Sequence, residues 1–87
     1  MEKEEICSIG AHMANYGLEL ADKNLTYSEV YEMAMKELDS CLPFPLVALK
    51  DEQIKDYYFK AFIGAYFYRK AEEWTADWKR RMKDNNN

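Results

Sequence analysis

The chain has 87 residues, a net charge of −4, 48% hydrophobic and 32% charged residues, and only three glycines and two prolines. This composition is typical of a folded domain rather than an acidic disordered tail, and the length excludes two domains of ordinary size. The acidic balance also disfavours a general nucleic-acid binder.

Membrane insertion is not predicted. The longest runs without Asp, Glu, Lys or Arg are residues 6–18, 40–49 and 61–68, all shorter than the roughly 18 to 20 apolar residues that cross a bilayer. The first five residues, Met1 to Glu5, are acidic and do not resemble the basic start of a signal peptide. We therefore expect a cytoplasmic protein without a membrane partner.

Two cysteines are too few for a secreted disulfide scaffold, so we expect Cys7 and Cys41 to be free, buried thiols.

Helical periodicity in the first part of the chain predicts a helix over residues 3–23. At 100° per residue, one face collects its apolar and small side chains: Ile6, Ile9, Gly10, Met13, Tyr16, Gly17 and Leu20. The two glycines lower helix propensity but allow another backbone to come close. We expect a second helix to pack tightly against this face.

The second helix is predicted from Tyr27 to Ser40. Thr26 and Glu29 have the spacing of a capping box, and the prolines at 43 and 45 end the helix. Its predicted core face contains Tyr27, Val30, Tyr31, Ala34, Leu38 and Cys41. The hydrophobic connector, residues 42–50, is compatible with one helical turn after Pro45.

The third helix is predicted to begin after the capping residue Asp51 and to continue to Asp84, with Gly64 as its one potential breaker. Its length of about 48 Å exceeds that of both other helices, so it must overhang or kink near Gly64. The predicted fold is therefore all-α, a single three-helix domain over residues 1–84 with a disordered tail at 85–87.

The two halves of this helix have different apolar faces. The first face is predicted to belong to the core and contains Ile54, Tyr57, Tyr58, Ala61, Phe62, Ala65 and Tyr68. The second, which we call the aromatic seam, contains Phe67, Ala71, Trp74, Trp78 and Met82. Two short helices cannot cover both faces, and contiguous exposed aromatic surface is unusual on a monomer. A kink that folds Trp74 and Trp78 onto helix one, self-association, and a foreign protein partner are the three alternatives.

Catalytic, metal and cofactor sites are not predicted. Glu4, Ser8 and His12 share a helix face, but Ser8 rather than His12 would be the central residue of such a triad. The two cysteines are distant in sequence, the chain has no C-x-x-C, and it has one histidine, so a structural zinc site within one chain is not expected. The glycines form no phosphate-binding loop, so nucleotide chemistry is not indicated.

Charge is segregated along the chain: residues 1–68 have a net charge of −6 and residues 69–87 have +2. We interpret the chain as a small acidic protein-protein interaction module, with a dimer as the first expectation and with Phe67, Trp74, Trp78, Met82, Lys79, Arg80 and Arg81 as interaction residues. One concrete form is an anti-defence inhibitor from a mobile element that acts on a nucleic-acid-handling protein. The alternatives are a nucleic-acid-binding regulator that uses the basic C-terminal helix, and an oligomeric binder of a small ligand or nucleotide signal.

Overall fold

The fold is all-α, as predicted. A computed structural model describes residues 1–85 and contains three α-helices over that range, α1 (Lys3–Ala21), α2 (Tyr27–Cys41) and α3 (Glu52–Asn85), with a short 3₁₀ helix (Leu46–Ala48) before α3. Of the predicted tail, Asn85 is the last residue of α3, and residues 86 and 87 lie outside the described range. Within residues 1–85, no helix has both the length and the apolar character required to span a bilayer.

The predicted start signals are confirmed. The Thr26 hydroxyl accepts from the Glu29 amide at 3.2 Å, and the Glu29 carboxylate accepts from the Thr26 amide, which completes the capping box. Asp51 Oδ1 accepts from the amides of Gln53 and Ile54 at 3.0 and 3.3 Å, so this side chain caps α3. The predicted turn after Pro45 is the 3₁₀ helix.

The backbones of α1 and α3 come close together at Gly17. A Cβ placed on Gly17 would lie 2.5 Å from the carbonyl oxygen of Phe62 and 3.2 Å from the amide nitrogen of Tyr66. Glycine is therefore required at this position by sterics, although its backbone is helical. At Gly10 the neighbour is instead the Tyr57 side chain, at 2.5 Å from a hypothetical Cβ. The tight packing expected for this face of α1 is confirmed.

The core lies along α1, which contacts α3 extensively and α2 much less. Its buried hydrophobic side chains are Ile9, Met13, Leu20 and Ala21 of α1, Val30, Ala34 and Leu38 of α2, Tyr58, Phe62 and Tyr66 of α3, and Leu42 and Leu49 of the connector. Two predicted core residues of α2 are exposed, Tyr27 at 65% and Tyr31 at 63%, and a third, Cys41, is only partly buried. The physical reason is that α2 packs mainly on α1, so the edge of α2 that faces α3 remains open.

Helix α3 continues through Gly64 without interruption. Nothing lies within 4 Å of a Cβ placed on Gly64, so this residue faces open space. Tyr57 and Tyr68, which were predicted to be core residues, are exposed because they lie at the edges of the face that α1 covers. Tyr66 is buried instead. The longest dimension of the molecule is 57 Å, which is consistent with a continuous helix of 34 residues that extends past the rest of the fold.

The contrast between Gly17 and Gly64 gives a first prediction. Replacing Gly64 by Ala should stabilise the protein by about 1 kcal/mol, because alanine is the better helix former and its methyl group meets nothing. Gly17→Ala gains the same propensity, but its methyl group clashes with backbone that cannot rotate away. Such overpacking costs about 1 to 3 kcal/mol, so the net effect should be destabilising. Thermal melts followed by circular dichroism measure the stability of the two variants. Equal stabilisation by Gly64→Ala and Gly17→Ala would contradict the close α1–α3 contact.

Tyr58 generates a second prediction. Its ring is fully buried, and its hydroxyl has no hydrogen-bond partner among the described residues. Burial raises the pKa of the Tyr58 hydroxyl, with smaller contributions from Glu5, Tyr57 and Cys7. Because an unsatisfied buried hydroxyl costs about 1 to 3 kcal/mol, Tyr58→Phe should stabilise the fold by about 1 kcal/mol, whereas Tyr68→Phe at an exposed position should change little.

The pH dependence of the same variant has a definite sign. Above the ordinary tyrosine pKa of 10.0, the unfolded chain loses the Tyr58 proton while the folded chain retains it. Stability therefore falls with rising pH, and Tyr58→Phe should weaken that fall. Urea unfolding at neutral and at alkaline pH tests this, and a destabilised Tyr58→Phe variant would show that the hydroxyl is satisfied.

Candidate interaction surface

The aromatic seam is exposed in the folded chain. Trp74 and Trp78 are 56% and 62% exposed, and Phe67, Ala71 and Met82 are exposed as well. The two tryptophans therefore do not fold onto α1, and the kinked arrangement considered above is not adopted. Ile63, one turn before Phe67, is also exposed and continues the seam toward the body of the protein.

An open aromatic groove lies between α2 and α3 at the inner end of the seam. It has a volume of about 220 Å³ and is lined by Tyr27, Val30, Tyr31 and Ala34 from α2 and by Phe62, Ile63, Tyr66 and Phe67 from α3. All eight lining residues are apolar or aromatic. The sequence analysis missed this groove because it assigned Tyr27 and Tyr31 to the core. Their position at the edge of the α2 apolar face was the available signal.

Aromatic contacts join the groove to the seam. The ring of Phe67 lies 6.1 Å from that of Tyr27 and 5.1 Å, edge to face, from that of Tyr66. Trp74 borders a neighbouring cleft that also includes Tyr27, Tyr66 and the loop residues Leu25 and Thr26. The apolar surface is thus continuous from the α2–α3 groove to the free end of α3. Ile63 and Met82 are 19 residues apart, which is about 29 Å along the helix.

The basic residues predicted for interaction lie on the same half of α3. Lys79, Arg80 and Arg81 are exposed, and Arg81 Nε is 3.2 Å from Asp77 Oδ2 one turn earlier. Exposed pairs of this kind contribute little stability. Arg81 is therefore partly neutralised by its own helix, which reduces the positive charge available to a nucleic acid.

Binding of duplex DNA is consequently predicted to be weak. The acidic body opposes the short basic end, so in about 150 mM salt the dissociation constant for generic duplex DNA should be weaker than about 1 µM. A mobility-shift assay over a range of salt concentrations measures it. Submicromolar, salt-sensitive binding that is lost in Arg80→Glu would favour the nucleic-acid-binding alternative.

A second cluster lies where α1 meets α2. His12 Nε2 of α1 is 2.7 Å from Glu37 Oε1 of α2, and Cys41 follows Glu37 by one helical turn. Ligand atoms of the three side chains all lie within 4.8 Å of one another. His12 therefore pairs with Glu37 rather than with Asn15 or Glu19, its two potential partners on α1. The pairing crosses 25 positions of sequence, so spacing within one helix could not reveal it.

Burial and the charge of Glu37 together set the electrostatics of this cluster. Burial, together with the charge of Glu37, raises the pKa of the Cys41 thiol. Burial is also the largest cause of the raised pKa of Tyr16, followed by Glu37 and Glu19. Cys41 and Cys7 are both free, as predicted, but neither is fully buried. Cys41 is partly buried against the core, and Cys7 is exposed because it lies beside the face of α1 that packs on α3.

Comparisons with models of protein families, with curated proteins and with solved structures find no match to this chain.

Proposed function

We propose that this chain is a protein-protein interaction module that acts as a two-fold symmetric dimer, with the aromatic seam and the α2–α3 groove as its interface. The observation that carries the proposal is the continuous exposed apolar surface of α3, which runs from Ile63 in the groove to Met82 near the free end. Because both thiols are free, a reducing compartment suits the protein, and we place this function in the cytoplasm.

The spacing of the seam supports a second copy of the chain as the occupant. Its residues are symmetric about the midpoint between Glu72 and Glu73: Ile63 matches Met82, Phe67 matches Trp78 and Ala71 matches Trp74. Two α3 helices that cross antiparallel at this midpoint would therefore place apolar side chains opposite one another along the whole contact. A two-fold interface requires such self-complementarity.

Charge favours the same arrangement. Antiparallel pairing brings the free end of α3, with Lys79, Arg80, Arg81 and Lys83, beside the groove of the other copy. The α2 helix that forms one wall of that groove has two exposed acidic side chains, Glu29 and Glu32, next in sequence to the lining residues Val30 and Tyr31. The basic end of one chain would then lie near these carboxylates of its partner, which favours this orientation.

The available area is sufficient for a stable dimer. Seven exposed side chains contribute: Ile63, Phe67, Trp74, Trp78 and Met82 of α3, and Tyr27 and Tyr31 of α2. At roughly 80 to 100 Å² each, two copies would bury on the order of 1,200 Å². That area reaches the lower limit for specific interfaces.

Removing the tryptophan anchors should dissociate the dimer without unfolding the chain. We expect Trp74→Ala with Trp78→Ala to convert a dimer to a monomer and to raise the dimer dissociation constant by at least about 100-fold, since buried tryptophans are frequent interface hot spots. Helicity should be retained, because neither ring is in the core of the single chain. Light scattering and circular dichroism measure the two effects.

Tyr68→Ala is the matched control, because Tyr68 is an equally exposed aromatic residue of α3 outside the seam, and it should remain dimeric. Spin labels attached at Lys83→Cys, in a Cys7→Ser, Cys41→Ser background, show the relative orientation of the two α3 helices through the distance between the labels. Antiparallel pairing about the proposed midpoint separates the labelled positions by about 32 Å along the helix, whereas parallel pairing brings them within about 10 to 20 Å. A wild-type chain that is monomeric at millimolar concentration would rule out self-association and would favour a foreign partner.

A further inference from the structure

The His12, Glu37 and Cys41 cluster contains three different types of metal ligand. An imidazole nitrogen, a carboxylate oxygen and a thiol sulfur come from two helices and converge within 4.8 Å. Glu37 and Cys41 lie on adjacent turns of α2, so both point toward the same part of α1. Neither the aromatic seam nor the α2–α3 groove includes any of these residues.

We propose that His12 Nε2, the Glu37 carboxylate and Cys41 Sγ form a zinc-binding site with three protein ligands and one open coordination position. Zinc is the divalent metal best suited to this mixed set, because it accepts nitrogen, sulfur and oxygen ligands and has no strong geometric preference. Calcium and magnesium prefer all-oxygen sites, so they are poor candidates.

The required rearrangement is small. At zinc-ligand distances of about 2.0 to 2.3 Å, tetrahedral ligands lie about 3.3 to 3.7 Å from one another. The 2.7 Å contact between His12 and Glu37 must therefore open slightly, and the wider separations must close. The side chains of His12 and Glu37 are 49% and 31% exposed and long enough to move, whereas Cys41 is partly buried and its short side chain can move less.

An adjacent cleft has room for the fourth ligand. It has a volume of about 360 Å³ and is lined by His12, Asn15, Tyr16, Glu19 and Glu37. A water molecule on the metal would face this cleft, with the polar groups of Asn15, Tyr16 and Glu19 around it. Zinc would also connect α1 to α2, whose direct contacts are sparse compared with those between α1 and α3.

The test is titration of the reduced, metal-free protein with Zn²⁺ by calorimetry, and with Co²⁺ by absorption spectroscopy, in which a thiolate ligand gives a charge-transfer band. We expect one metal ion per chain and an increase in thermal stability on binding. Cys41→Ser and His12→Gln should each weaken binding by more than about 100-fold, because loss of even an outer-shell partner costs 10- to 100-fold. Cys7→Ser, which removes the exposed thiol, should leave binding unchanged.

The proposal is overturned if Zn²⁺ does not bind at about 100 µM, or if Cys41→Ser binds as the wild type does. A measured stoichiometry of one Zn²⁺ per two chains also overturns it, because the site is proposed to lie within one chain. Repeating the titration in the Trp74→Ala, Trp78→Ala variant separates the two proposals: one equivalent of zinc should still bind whether or not that variant dimerises. Mg²⁺ in roughly 1,000-fold excess should not compete.

Discussion

The rest of the structure depends on the close contact between α1 and α3 at Gly17. The contact brings two helix backbones together so closely that a single methyl group would clash with the Phe62 carbonyl oxygen. It aligns α1 with the first half of α3 and buries Tyr58, Phe62 and Tyr66 along α1. Because α1 has 19 residues and α3 has 34, this alignment leaves most of the second half of α3 uncovered by the same chain, over the residues whose side chains the structure describes.

The position of α2 follows from the same arrangement. With α3 held tightly on one side of α1, α2 buries Val30, Ala34 and Leu38 in the common core and lies closer to α1 than to α3. In a compact three-helix bundle all three pairs of helices pack together. Here α2 and α3 do not close against each other, and the α2–α3 groove lies between them. A chain of this size has a small core and limited stability of its own. Burying the groove and the seam in a dimer would add to that core.

The helices were predictable from sequence because their signals are local. Capping by Thr26, Glu29 and Asp51 depends on spacings of two or three residues, and the apolar face of α1 repeats at the helical period. The burial of individual aromatic residues was less predictable. Tyr27, Tyr31, Tyr57 and Tyr68 lie at the edges of apolar faces, where burial depends on how closely a neighbouring helix approaches. Periodicity identifies a face but does not give its width.

The candidate sites also differ in how far they could be predicted from sequence. The seam could be predicted, because five residues of one helix share a face and the lengths of the helices show that the chain cannot cover it. The α2 side of the groove had a signal, the edge position of Tyr27 and Tyr31, but its pairing with α3 could not be predicted from sequence. The cluster of His12, Glu37 and Cys41 could not be predicted either, because both features combine residues from two helices whose relative rotation is set by tertiary packing. The sequence places His12 and Glu37 25 positions apart and contains no ligand motif that would associate them.

Helix α2 links the two proposals physically. Its N-terminal half provides Tyr27 and Tyr31 to the groove, and its C-terminal half provides Glu37 and Cys41 to the cluster with His12. The position of α2 relies on fewer close contacts with α1 than the position of α3 does. Under both proposals, zinc bound between α1 and α2 would add a link that holds this helix, whose Tyr27 and Tyr31 line the groove of the proposed dimer.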